Sequence, residues 1–423
     1  MSNAVQDRRA HVVGAGISGL ACAVRLARRG VSVTLHEAAA QAGGRCRSYP
    51  DAKLGRTIDN GNHILLSANR TALDYVAEIG ARDSLIGPDR AVFPFVDLTS
   101  GERWTLRPNG GPIPWWILDR RRRIPGTGIG SYLAGLKLAF AGAKDRVCDV
   151  IDPKDPLWHR FWEPLTVAAL NTSPHEASAR LLWLVLKETF AQGEASCRPL
   201  IARDGLANSL VEPALALLRD HGATVRFNRR LRAVELDGDR AASLDFGEAT
   251  VDLAPTDRLV LALPPAVCAS LVPGIEAPQE SRPIVNAHIL LPDPPSLPED
   301  LPFLGLVGGT ADWIFVRGDV ASLTVSAAEA LAEEPNEAIT RKMWADTAQA
   351  LALETEPVPP IRVIKEKRAT FAQTPAAVAR RTPARTRWTN LVLAGDWTDT
   401  GYPATIESSV RSGRTAADLV LGS

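Results

Sequence analysis

His11–Arg45 reads HVVGAGISGLACAVRLARRGVSVTLHEAAAQAGGR, and the order of its residue types decides the fold. A short apolar strand, His11 to Val13, runs into Gly14-Ala15-Gly16-Ile17-Ser18-Gly19. The spacing then predicts a helix with Leu20, Val24 and Ala27 on one face. A second strand, Val31 to His36, ends at Glu37. Each glycine of the turn has its own reason. Gly14 makes the tight turn, Gly16 lets the backbone approach a pyrophosphate, and Gly19 lets helix and strand pack closely. The helix start around Ser18 offers free N–H groups and a positive dipole end to phosphate. Glu37 closes the second strand, where a carboxylate accepts both ribose hydroxyls of an adenosine. The expected class is α/β, with a Rossmann-like dinucleotide-binding domain.

The rest of the composition sets bounds. At 423 residues the chain has room for two or three domains. Its 48 basic and 48 acidic residues cancel, which argues against a general nucleic-acid role. Five cysteines (Cys22, Cys46, Cys148, Cys197, Cys268) have no paired spacing, so neither a disulfide framework nor a metal site is expected. That usage fits a reducing cytoplasm. The start, MSNAVQDRR, leads directly into the first strand without a signal-peptide pattern. No apolar run reaches the roughly 18 residues of a membrane span.

Beyond the opening unit, Gly43-Gly44-Arg45 follows the acidic residue, and Ile58-Asp59-Asn60-Gly61-Asn62-His63-Ile64 carries another glycine. Gly61 is explained by a flat ring passing close to it, or equally by an Asn-Gly turn between two strands. His63 is either a chemical group or a hydrogen-bonded histidine with no such role. A helix is predicted from Asn69 to Gly80, and short strands between Phe93 and Arg107. Trp115 and Trp116 next to Arg120–Arg123 suit a membrane interface, or else a buried pair beside a solvated basic loop. Pro156–Ala191 is helical and more apolar than one amphipathic face needs, so it is core or the wall of an apolar tunnel. A helix over Ala207–Arg219, strands to Leu236, and the apolar strand Leu259–Leu263 follow. Near the end, Leu391–Ala394 meets Gly395-Asp396, and a helix is expected from about Ala404 with small Ala416 and Ala417.

The Gly43-Gly44-Arg45 segment, paired with Gly395-Asp396 at the far end, resembles the flavin amine oxidase and phytoene desaturase superfamily. Phe161-Trp-Glu-Pro-Leu…Ala-Leu-Asn171 and Gly395-Asp-Trp-Thr-Asp-Thr-Gly-Tyr-Pro-Ala-Thr-Ile-Glu407 are similar to one branch, the squalene-associated FAD-dependent desaturases, or hydroxysqualene dehydroxylases. This resemblance covers nearly the whole chain. It implies a discontinuous FAD-binding domain of the GR2 type (1–70, 195–270 and 384–423). The remainder (71–194 and 271–383) would be an α+β substrate domain with an apolar tunnel. It also implies noncovalent FAD, since the last motif lacks an attachment cysteine. Gly14, Gly16, Ser18, Gly19, Glu37, Gly43, Gly44, Arg45, Asn60, Gly61, Val234, Gly395, Asp396, Ala404, Thr405 and Ile406 would contact the cofactor. Val234 would meet the adenine, Asp396 a ribityl hydroxyl, and the helix after Thr405 the flavin's pyrimidine end.

The implied activity is reductive removal of the hydroxyl of hydroxysqualene to give squalene, on the route to hopanoids. That chemistry needs an acid, water exclusion and a π-rich surround for an allyl cation. Asp59, His63, Glu163 and Tyr402 are the candidate acids, and Tyr402 would alternatively shape the pocket. The implied partners are the polyprenyl substrate and upstream squalene-pathway enzymes; the membrane surface is read from Trp115, Trp116 and Arg120–Arg123 themselves. A desaturase running the hydride the other way, an amine oxidase, and a non-catalytic flavoprotein presenting polyprenyl substrates are the alternatives.

Overall fold

The computed structural model describes residues 8–422. Most of the polar start, read above as lacking a signal-peptide pattern, lies outside the described residues. The opening unit forms as the spacing predicts: strand Arg9–Val13, helix Ile17–Ala27, strand Ser32–His36. These strands lie inside a five-stranded parallel sheet. Its order is Thr224–Arg226, Ser32–His36, Arg9–Val13, Arg258–Leu261, Leu391–Leu393. The beginning, middle and end of the chain therefore share one sheet. Val12, Leu35, Leu259, Val260, Leu261 and Leu391 are fully buried, as parallel strands covered on both faces require.

The C-terminal helix, Ile406–Gly422, lies against the helix Ile17–Ala27. The contact is close because Gly413 has no side chain: a Cβ there would sit 2.2 Å from the Ser18 carbonyl oxygen. Ala416 and Ala417 are fully buried beside it.

A second, seven-stranded sheet runs Ile361–Phe371, Ser281–Leu290, Val320–Val325, Trp313–Arg317, Phe303–Val307, Phe93–Asp97, Arg103–Leu106. Period-two alternation gives it two different faces. Leu304, Leu306, Ile314, Leu323 and Val285 pack on the helix Asn336–Leu351. Phe93, Phe95, Phe303, Trp313 and Phe315 face the other way, toward the helices Glu163–Leu170 and Ala179–Glu188.

Three local expectations need correcting. The stretch Ala207–Arg219 is not one helix but two, Leu206–Leu210 and Glu212–Asp220. The break falls just before Pro213, whose ring and missing N–H do not allow an uninterrupted helix. Gly61 does not sit in a hairpin. The strand Arg56–Asp59 pairs with Ser48–Asp51, whereas Leu65–Leu66 pairs with Pro199–Leu200. Finally, the two tryptophans part company. Trp115 is 60 % exposed, but Trp116 is buried with its ring edge-on to Tyr132.

Candidate active site

The glycine turn separates the three roles that spacing assigned. At Gly14, where φ is +104°, a Cβ would lie 2.3 Å from the Ala262 carbonyl oxygen; at Gly19 it would lie 1.8 Å from that of Gly14. At Gly16 a Cβ would meet nothing within 4 Å. Gly14 and Gly19 are thus held by protein packing, while Gly16 faces a cradle of the kind a pyrophosphate fills. The Gly43 N–H donates to the Ala15 carbonyl at 2.8 Å, which lays Gly43-Gly44 along the turn. Glu37 accepts from the Ala15 N–H at 2.7 Å through one oxygen and from Ala39 at 2.8 Å through the other. These bonds fix its carboxylate at the strand end, and each oxygen keeps a further lone pair for a sugar hydroxyl.

The two ends of the chain meet here through an ion pair. Arg45 Nη2 lies 2.8 Å from Asp396 Oδ2, and Arg45 also donates to the Ala369 carbonyl. Arg45 is deep in the molecule, yet its side chain is 42 % exposed, so it lines an internal cleft. Gly395 donates its N–H to Ser412 Oγ at 2.8 Å, tying the Gly-Asp turn to the C-terminal helix. Thr405 caps that helix: its hydroxyl accepts from the Ser408 N–H at 3.2 Å. Ala404 donates to Gln373 Oε1 at 2.9 Å. Val234 stands in the strand Ala233–Asp237, and the segment leading to it bonds back from Arg229 N–H to the Glu37 carbonyl at 2.8 Å.

Asn60 and Gly61 lie at the seam between the two sheets. Asn60 donates to Glu366 at 3.1 Å and accepts from Arg47 at 3.0 Å. A Cβ on Gly61 would come within 3.3 Å of Asn286 Nδ2. Asn62 donates to Thr324 Oγ1, and Thr324 donates to Asn286 Oδ1, each at 2.9 Å.

The four candidate acids occupy four different surroundings. Asp59 is buried and engaged, with Arg317 at 2.8 Å, the Leu206 N–H at 3.0 Å and the Ser48 hydroxyl. His63 shares with it a cleft of roughly 360 Å3, also lined by Asn62, Phe315, Arg317 and Ser322. Burial, helped by the charge of Arg45, pushes the His63 imidazole down to about 4, so it is neutral at pH 7. Glu163 pairs at 2.7 Å with His159, whose side chain is 76 % exposed. Tyr402 lies under the Arg411 guanidinium, 3.9 Å from its ring centroid, and burial raises its phenol above the ordinary value. The aromatic face of the large sheet is continuous: Trp313 is 5.4 Å from Phe95 and 6.2 Å from Phe303, centroid to centroid.

The model of the family described as flavin containing amine oxidoreductase matches residues 17–421. The chain belongs to this family. Within it, the chain is 49 % identical to a hydroxysqualene dehydroxylase of Rhodopseudomonas palustris, over 98 % of this chain and 99 % of the relative. It is 44 % identical to one of Sinorhizobium fredii, over 98 % of each. Among solved structures, cyclohexylamine oxidase from Brevibacterium oxydans superposes with a TM-score of 0.68 at 16 % identity, over 98 % of each chain. That likeness establishes the fold.

In this flavin-containing oxidoreductase two of the organising residues, Arg381 and Gln373, lie outside every sequence motif. Arg381 is buried and donates to the carbonyls of Asp396, Thr398 and Tyr402 and to Thr400 Oγ1, holding the whole loop after Gly395. Gln373 is fully buried and joins that loop to the end of the helix Glu163–Leu170, donating to Leu170 at 2.6 Å. Glu407 accepts from the Ala72 N–H at 2.8 Å and from Arg411 at 2.6 Å. Glu407, unlike Arg381 and Gln373, closes the Gly395–Glu407 stretch that carries the resemblance, and it lies in the first turn of a helix, where acidic residues are favoured.

Proposed function

We propose that this protein is an FAD-dependent oxidoreductase that removes the hydroxyl of hydroxysqualene and leaves squalene. The observation that carries this reading is the match at 49 % identity over almost the full length to a hydroxysqualene dehydroxylase. The aromatic wall is consistent with it, because a cation formed beside those rings is stabilised by their π faces.

In this reading the residues quoted from the glycine turn, Gly43-Gly44-Arg45, Asn60-Gly61, Val234, Gly395-Asp396 and Ala404–Ile406 hold the cofactor noncovalently. Gly16 leaves room for the pyrophosphate, Glu37 takes the ribose, and Arg45 and Asp396 fix each other beside the ribityl chain. The proposed division is a cofactor domain from 1–70, 195–270 and 384–423, with the substrate domain from the rest. Bound reduced FAD supplies the hydride. The protein's part is to hold the allylic alcohol against the aromatic face, give a proton to its oxygen, and keep water from recapturing the cation. One C–O bond breaks, one C–H bond forms, and water leaves.

The partner surface we propose is a lipid bilayer. Ile113, Trp115, Leu118, Leu136 and Phe140 are 52, 60, 56, 58 and 89 % exposed, more apolar surface than a soluble face usually leaves open. Arg120, Arg121 and Lys137 are exposed among them, and each is worth about 1 kcal/mol near anionic lipid. No helix among the described residues is long and apolar enough to cross a membrane.

The test is product analysis. Anaerobic, reduced protein with hydroxysqualene yields squalene if the reading holds. Desaturated product from phytoene with oxidised protein, and no squalene, favours the desaturase instead.

A further inference from the structure

Asp312, which no sequence pattern singles out, sits where the large sheet meets the helices. Its backbone is fixed on both sides, donating to the Thr324 carbonyl at 2.9 Å and accepting from the Leu306 N–H at 2.8 Å. Thr324 is the residue whose hydroxyl binds Asn62 and Asn286 beside Gly61. Asp312 is therefore two hydrogen-bonded steps from the turn assigned to the flavin ring. The next residue, Trp313, belongs to the aromatic wall.

The surroundings of this carboxyl are unlike those of Asp59. Asp312 lies deep in the molecule yet is only half-buried, so part of its surface stays open to an incoming group. Ser326 donates its backbone N–H to Oδ2 at 2.7 Å, and its side chain adds a second bond. Among the described residues no cation pairs with it. The charged group whose field reaches it is another carboxylate, Glu163, at the start of the helix Glu163–Leu170. Enclosure by protein without a cation favours the protonated form, and Glu163 acts in the same sense. Its pKa is pushed up to about 7, mainly by burial, so near neutral pH a good part of the carboxyl population holds a proton and can donate it. The other candidates lack one of these properties. Asp59 is committed to Arg317, His63 carries no spare proton at pH 7, Glu163 faces outward to His159, and the Tyr402 phenol is too weak an acid.

We propose that Asp312 is the general acid, giving its carboxyl proton to the substrate hydroxyl as that group leaves as water. The inference rests on the dehydroxylase reading. The proton balances the hydroxide, the hydride balances the carbon cation, and solvent later returns a proton to Asp312.

Asp312→Asn keeps the size and both Ser326 contacts but has no proton to give. With flavin content unchanged, its kcat falls by about 10²-fold or more, and Asp312→Glu recovers part of the loss. In the wild type, kcat declines as pH rises through about 7. Glu163→Gln moves that decline to lower pH, because it removes a negative neighbour. A readout independent of turnover is the protonated-carboxyl stretch in the infrared, expected to titrate in the wild type and to vanish in Asp312→Asn. An Asp312→Asn protein that stays within about threefold of wild-type kcat overturns the assignment. So does a carboxyl band that does not titrate near neutrality. If the wild type itself gives no squalene while its flavin is reducible, the substrate reading fails rather than the placement of the acid.

Discussion

The Arg45–Asp396 ion pair is the smallest part of the cradle that a single substitution can test. It joins residues 351 positions apart in the chain, an open Arg45 to a buried Asp396. Asp396→Ala removes a charge-assisted bond from Arg45 and the acceptor proposed for the ribityl chain. Bonds to charged groups contribute about 1.5–3 kcal/mol, so FAD affinity should fall roughly tenfold to a hundredfold. Flavin absorbance per chain, before and after desalting, measures this. Full retention of FAD by the variant removes Asp396 from the site. Arg45 and Asp396 were both legible in the sequence because each sits in a glycine motif with its own context. Arg381 was not. Its donors go mostly to backbone carbonyls, and a carbonyl leaves no mark on residue type.

At the scale of elements, the packing of the two helices that frame the cradle decides the geometry. Gly413 allows the C-terminal helix to touch the helix that starts at the glycine turn. Gly413→Val would set its Cβ against the Ser18 carbonyl oxygen, 2.2 Å away without movement. Overpacking of this kind typically costs about 1–3 kcal/mol. The expected result is a lower thermal midpoint and weaker FAD binding, since Ser18 lies in the first turn of the helix proposed to face the phosphates. Unchanged midpoint and affinity would show that the helices separate freely. Periodicity announced several long elements, including the helices Ile17–Ala27 and Arg70–Glu78. It missed the break before Pro213 because the apolar pattern continues through it on both sides. It also missed the outward face of Leu136 and Phe140, since apolar content alone does not say which side of a short helix meets protein.

At the scale of the whole molecule, buried histidines set the response to acid. Burial lowers His36 to about 3, and His63 and His288 to about 4; His11 is also lowered. In the unfolded chain these groups take up protons near pH 6.5. Their folded values lie below that, so their contribution is fully present above pH 6.5 and is lost as pH falls toward 4. Asp312 and Asp346 act in the opposite sense, because their raised values favour the folded state at low pH. Two carboxyls do not offset four imidazoles lowered together. The unfolding midpoint should therefore drop steadily between pH 6.5 and 4, and a flat profile over that interval contradicts the buried neutral histidines.

The central claim is that strands from the beginning, middle and end of the chain build one cradle for one flavin. An absorbance spectrum of the purified full-length protein, followed by acid precipitation, tests it most directly. The predicted result is a yellow protein with about one FAD per chain, released into the supernatant by acid. A colourless protein that does not take up added FAD would contradict it.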